Sequence, residues 1–167
     1  LELFSGAGGL ARGLGIAGFK HVAFVEINKD ACATLRLNFD PSAVFEGDVR
    51  KFDLSAISKV DLVAGGPPCQ PFSLGGKHRA SEDDRDMFPY AIKAINELKP
   101  SAFIFENVKG LLRPSFSDYF EYILARLRFP EVSVRSSRDW RQHLGVLRST
   151  KHEKPKGVSY DVSFSLL

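Results

Sequence analysis

Two side chains stand out for the chemistry they can do: Cys69, in Gly65-Gly66-Pro67-Pro68-Cys69-Gln70-Pro71-Phe72-Ser73, and Glu106, in Phe105-Glu106-Asn107-Val108. Pro67, Pro68 and Pro71 fix their own φ angles and cannot donate to a sheet ladder, so a strand reaching Ala64 turns stiffly there. A thiol held on a stiff turn beyond a strand end is placed to act as a nucleophile. The thiolate is the attacking form and only a minor fraction at neutral pH, so a helix N-terminus or a nearby positive charge has to activate it. Glu106 closes an apolar run, where partial burial would let a carboxyl hold or donate a proton. The alternative is a carboxylate that caps or bridges a loop. Cys32, between two alanines on a helical stretch, reads as an inert packing residue.

A second group of residues suits a nucleotide. Gly6, Gly8 and Ala11 have the spacing G-x-G-x-x-G/A, and Glu26 follows Gly8 by 18 residues, near where a ribose-binding acid is expected. Glycines let the backbone approach a ligand, and the helix that follows offers unpaired N–H groups. Glu26 can accept from both ribose hydroxyls, and Asp48 from an adenine amino group. The pattern fits a nicotinamide cofactor as well as S-adenosylmethionine, and also a purely structural turn. Between Ser73 and Met87 a polar stretch holds Gly75, Gly76, Lys77, His78, Arg79 and Arg85. It reads as a loop that closes over a substrate and brings positive charge to a phosphate backbone, or as an ordinary exposed loop.

These residues need elements to position them. Leu1 to Phe4 reads as the end of a strand, Ser5 to Gly9 as a turn, and a helix from about Leu10 closes at Gly18. Strands follow at His21–Ile27, Val44–Val49, Val60–Ala64 and Ala102–Phe105, the first and last of these expected to be buried. Helices are expected over Lys29–Asn38, Met87–Leu98 and Asp118–Leu127, from their apolar spacing. Residues 128–157 read as irregular, and Val158–Leu167 as a closing strand. Alternation of apolar strands with helices implies an α/β fold, a mostly parallel sheet with helices on both faces. Ligands in such sheets sit beyond the carboxyl ends of the strands. The glycine turn, Glu26, the Cys69 turn and Glu106 should therefore lie along one edge.

The length of 167 residues suits a single domain,. No apolar run approaches the roughly 20 residues that span a bilayer, and no signal peptide is visible. Two cysteines make no disulfide framework, which points to a reducing compartment, and with the four histidines they show no zinc-ligand spacing,. The net charge of +3 is unevenly spread: residues 126–156 hold nine Lys or Arg against three Asp or Glu. That basic stretch, irregular at about 129–157, suits a phosphate backbone or a solvated loop equally. With no initiator methionine and an apolar last segment, the chain is expected to be part of a longer polypeptide or of an assembly.

In this order, the motifs resemble the cytosine-5 DNA methyltransferases, over Leu1 to about Leu127. Phe4-Ser5-Gly6-Ala7-Gly8-Gly9-Leu10 is similar to that family's cofactor turn, Pro67-Pro68-Cys69-Gln70 to its nucleophile motif, and Glu106-Asn107-Val108 to its glutamate motif. Asp83 to Phe88 is similar to the segment that opens the family's next helix. The resemblance implies a Rossmann-like methyltransferase fold, incomplete here, that binds S-adenosylmethionine through Phe4, Ser5, Gly6, Ala7, Gly8, Gly9, Glu26, Ile27, Asp48, Val49, Pro68 and Phe88. It implies that Cys69 attacks carbon 6 of a cytosine flipped out of double-stranded DNA, with Glu106 at ring nitrogen 3 and methyl transfer to carbon 5. Gln70, Ser73, Lys77 and Arg85 would face the DNA.

It further implies a restriction-modification context and a prokaryotic, nucleoid-associated cytoplasmic location, or a nuclear one in a eukaryote. The family's Gln-x-Arg-x-Arg motif and target-recognition region do not occur in the sequence. The missing parts are expected on the rest of the polypeptide or on a second subunit. Three alternatives accompany this reading: a transfer-RNA cytosine-5 methyltransferase, a non-catalytic DNA-binding remnant of the same fold, and a nicotinamide oxidoreductase, which would leave Cys69 and Glu106 unexplained.

Overall fold

The computed structural model describes residues 1–68, 86–132, 139–150 and 157–167. They form two compact units, Leu1–Pro67 with Glu97–Glu106, and Pro68–Asn96 with Asn107–Leu167. The first unit holds a five-stranded, all-parallel sheet: β1 (Glu2–Leu3), β2 (Phe24–Glu26), β3 (Val44–Glu46), β4 (Leu62–Gly65) and β5 (Ala102–Phe105), in the order β3-β2-β1-β4-β5. The chain works outward from β1 to β3 and then crosses to β4 on the other side of β1. That reversal makes the β1–β4 junction a topological switch point, where such sheets open a crevice. Register puts Leu3 beside Val25 on one flank and Gly65 on the other, with Phe105 beside Gly65.

Helices α1 (Gly9–Ile16) and α2 (Lys29–Asn38) cover one face of this sheet. Ala11 of α1 and Cys32 and Leu35 of α2 pack on Phe24 and Val44, while Leu14 packs on Leu62 and Ala64. Each helix starts and stops for local reasons. Gly8, at φ 89°, turns the chain into α1, and Gly18, at φ 92°, turns it out,. The Asn28 side chain accepts from the Ala31 N–H at 3.0 Å and caps α2,. The expected span of α2 is matched residue for residue, as is that of β5, whereas β2 and β3 are shorter than the runs containing them and β4 starts two residues later and ends one residue beyond its expected run.

The second unit is helical among its described residues. It contains most of α3 (Phe88–Leu98), with α4 (Ser117–Arg128) and α5 (Trp140–Thr150). Helix α5 corrects the expectation that 128–157 is irregular. Trp140, His143, Leu144 and Leu147 are buried at a helical spacing, and Arg141 and Arg148 face outward,. The His143 ring bridges the two parts it packs against. Its Nε2 meets the Val132 carbonyl at 3.1 Å and its Nδ1 meets the Tyr122 hydroxyl at 3.1 Å. Burial and the nearby Arg126 hold this imidazole below its ordinary pKa,.

Two further expectations are corrected. Residues 158–167 form no strand. They lie against α4 instead, with the Tyr160 N–H donating to the Arg128 carbonyl at 3.0 Å and the Phe164 ring edge-on to Phe120 at 4.9 Å. And β5 is not buried: among the described residues it is the last strand of the sheet, with Ala102 and Ile104 exposed. No helix among the described residues is long and apolar enough to cross a membrane.

Candidate active site

Because the sheet is all parallel, five carboxyl ends meet one edge: Phe4-Ser5, Glu26, Gly47-Asp48, Gly65-Gly66 and Glu106. The edge divides at the switch point. On the β1–β2–β3 side, Phe4 (φ 56°), Gly6 (φ 52°) and Gly8 (φ 89°) reverse the chain within five residues. A left-handed Phe is costly and persists only where its surroundings hold it. What holds it is visible. The Ser5 N–H donates to the Val25 carbonyl at 3.3 Å, the buried Ser5 hydroxyl donates to the Glu2 carbonyl at 2.9 Å, and the Gly6 N–H donates to Glu26 Oε2 at 2.7 Å. A Cβ on Gly8 would lie 2.8 Å from the Phe39 ring, whereas nothing lies within 4 Å of one on Gly6 or Gly9. The turn is thus packed on its inner side at Gly8 and open on its outer side, a ledge of backbone that a ligand can approach.

Glu26 is the hub of this side. Besides Gly6, its Oε1 accepts from the Ile27 and Asn28 N–H groups at 2.9 and 2.8 Å. Three of about four acceptor positions on the carboxylate are used, which leaves capacity for a hydroxyl. The buried Cys32 thiol donates to the Glu26 carbonyl at 3.4 Å, and burial pushes its pKa up. It is the packing residue its sequence context suggested. Asp48 accepts from the Arg50 N–H at 2.9 Å and from the Arg50 guanidinium at 2.9 and 2.5 Å. Those bonds hold its carboxyl below the usual carboxylate range. Ile27, two-thirds exposed at the end of β2, and the half-buried Val49 complete the ledge.

On the β4–β5 side the backbones come closest. A Cβ on Gly65 would lie 1.9 Å from the Leu3 carbonyl oxygen, so only glycine lets β4 end there. The Glu106 N–H donates to the Gly65 carbonyl at 3.0 Å, and Glu106 Oε2 lies 3.4 Å from where a Gly66 Cβ would stand. The carboxylate therefore sits over the glycine three residues ahead of Cys69. It is exposed, against the expectation of partial burial, because β5 is the last strand of the sheet among the described residues. It makes no hydrogen bond or ion pair among the described residues. Cys69, Gln70, Ser73, Lys77 and Arg85 lie outside the described residues. In the second unit, Pro68 is exposed and Phe88 is buried at the start of α3.

Sequence reasoning passed over two further buried acids. Glu2, the first residue of β1, is 1% exposed with both carboxylate oxygens unpaired, and burial raises its pKa to about 7. A carboxylate inside an otherwise apolar strand was the available signal. Asp86, at the head of α3, is 6% exposed and bonded to the Tyr119 hydroxyl. Nothing in the sequence pairs these two residues.

Known proteins resemble this chain in sequence and fold. The chain is 51% identical over 123 residues to the type II methyltransferase M.NgoMIV of Neisseria gonorrhoeae, covering 74% of this chain and 39% of that protein. It is 43% identical over 132 residues to the type II methyltransferase M.NaeI of Lentzea aerocolonigenes, covering 76% and 32%. The chain thus spans well under half the length of either. Among solved structures, a prophage-encoded E. coli protein assigned as a DNA modification methyltransferase superposes with a TM-score of 0.62 at 32% identity, over 74% of this chain and 35% of the other. The sequence model described as C-5 cytosine-specific DNA methylase matches residues 1–134, and the chain belongs to that family.

Proposed function

We propose that the protein transfers a methyl group to carbon 5 of cytosine in double-stranded DNA, as the modification component of a restriction-modification system. The observation that carries this reading is the Glu106 carboxylate over Gly66, beside the turn that leads into Cys69. It stands on the same sheet edge as a glycine ledge anchored by Glu26. S-adenosylmethionine fits that ledge: the turn is open at Gly6 and Gly9, Glu26 keeps an acceptor for a ribose hydroxyl, and Ile27 offers an apolar surface to a base. Phe4, Ser5, Ala7, Gly8, Asp48, Val49, Pro68 and Phe88 are assigned to the same cofactor. Bound there, it supplies an electrophilic methyl group.

Cys69 then attacks carbon 6 of the flipped cytosine as the thiolate, forming a carbon–sulfur bond and pushing electrons into the ring. Glu106 holds nitrogen 3 and stabilises the charge that develops there. Carbon 5 becomes nucleophilic and is methylated. Loss of its proton and expulsion of the thiolate restore the ring and the enzyme. Gln70, Ser73, Lys77 and Arg85 are assigned to the DNA side. Transfer RNA is the less favoured substrate, since the relatives reported above are type II methyltransferases.

The test is methyl transfer by the intact protein from labelled cofactor to duplex DNA and to transfer RNA, with and without Cys69→Ser. Transfer to DNA is expected, and the substitution should lower it by at least roughly 10³-fold while cofactor binding persists. Normal turnover by Cys69→Ser, or activity on transfer RNA alone, sinks the proposal.

A further inference from the structure

We propose that Asp86 and Tyr119 are positioning residues for the nucleophile, acting through the Pro68 carbonyl. The inference rests on reading Cys69 as the attacking group. The peptide unit that carries the Pro68 oxygen also carries the Cys69 nitrogen and Cα, because the peptide bond is planar. Whatever fixes that oxygen fixes the plane from which Cys69 projects. The Met87 N–H donates to it at 3.1 Å, which ties together the two ends of the intervening stretch, 69–86.

Met87 is itself held on both sides. Its carbonyl accepts from Tyr90 and Ala91 at 3.1 and 3.3 Å, opening α3. Before it stands Asp86, whose Oδ1 accepts from the Phe88 N–H at 3.2 Å and whose Oδ2 accepts from the Tyr119 hydroxyl. Tyr119 is 4% exposed, edge-on to Trp140 at 5.3 Å and tilted against Tyr122 at 6.0 Å. The chain of contact runs from α5 through the Trp140 ring to Tyr119, then to Asp86, Met87 and the Pro68 carbonyl. Every group in it is polar and paired, or aromatic and packed. A hydroxyl bonded to a buried carboxylate is among the stronger hydrogen bonds available to such a chain. Asp86 would need no such partner merely to start a helix, because an exposed cap does that.

Tyr119→Phe in the intact protein keeps the ring packing and removes only the hydroxyl. Single-turnover methyl transfer at saturating DNA and cofactor should fall by about 10-fold, with KM for the cofactor within about twofold. The rate at which iodoacetamide alkylates Cys69, read by peptide mass spectrometry from pH 6 to 9, should change by at least about threefold. Asp86→Asn should act similarly, and the double variant should be little worse than the worse single one. It also carries the test if Tyr119→Phe does not fold. A lowered melting temperature with an unchanged transfer rate and alkylation profile would reduce the pair to a structural contact and overturn the proposal. Slowed transfer with an unchanged alkylation profile also overturns it, since the effect would bypass Cys69. If the wild-type protein methylates no DNA but the alkylation profile shifts, the methyl-transfer reading fails and the positioning role stands.

Discussion

The carboxylates that end β2 and β5 are held in opposite ways. Glu26 is fastened by three backbone N–H groups between 2.7 and 2.9 Å and welds the glycine turn to the start of α2. Among the described residues, Glu106 is fixed through its backbone alone, at 3.0 Å to Gly65, and its carboxylate stands exposed. The first arrangement suits a group that must present a constant shape to a ligand. The second suits a group that must gain and lose interactions as charge develops on a substrate. One sheet edge thus carries a tightly fastened carboxylate and an exposed one, on either side of the β1–β4 switch point,.

The largest expected break of this contrast is Glu106→Gln. With no partner to lose among the described residues, the variant should fold normally and bind cofactor with unchanged affinity. Methyl transfer should slow by about 10²–10³-fold, as when a single electrostatic stabiliser is removed. Thermal unfolding and single-turnover transfer measure the two halves of that statement. A large loss of stability with little loss of rate would make Glu106 a structural residue like Glu26.

Glu26→Gln should give the mirror image, with a smaller effect. The amide keeps one oxygen for Ile27 and Asn28, but its NH₂ group then faces the Gly6 N–H, donor against donor,. A charge-assisted bond to the turn is lost, so cofactor affinity by calorimetry should fall about 10- to 100-fold. The rate at saturating cofactor should change far less. An unaltered affinity would erase the distinction between the two ends.

How much of this was legible in the sequence follows from what each feature depends on. Helix α2 was readable because its start and its buried stripe, with Cys32 and Leu35, are local. The strand ends were readable as a set because βα alternation forces parallel strands. The exposure of Glu106 was not, since it depends on β5 being last in the strand order among the described residues, a fact about distant segments. Helix α5 was overlooked although its signal was present. Trp140, His143, Leu144 and Leu147 have helical spacing, but the arginines around them drew attention to charge instead. The apolar run 158–167 read as a strand because composition cannot supply a neighbour to pair with. Its Val158 and Tyr160 N–H groups donate to Glu131 and to the Arg128 carbonyl of α4 instead.

The smallest expected effect concerns β1, which lies between the strands that these two carboxylates end. Glu2 is paired in register with Phe24 and Ala64, and its carboxylate is buried. Burial is the main cause of its rise to about 7; the adjacent Leu1 amino group and the Ala11 backbone offset only part of it. Below pH 4.5 the group is protonated whether the chain is folded or not. As pH rises towards about 7 the unfolded chain releases this proton before the folded one, so stability falls across that interval and levels off above it. His21 and His143 oppose this. Burial lowers both, so their contribution rises with pH through the same range. Lys20, His21, Lys59 and Asp61 share a cavity with Glu2, and they set how much of the charge is compensated. Comparing wild type with Glu2→Gln cancels the histidine terms. Urea unfolding should find the two nearly equal at pH 5 and the variant more stable at pH 8, by on the order of 1–3 kcal/mol. Equal pH slopes would mean that Glu2 finds a partner when ionised, and that β1 is as fully satisfied as the Glu26 end.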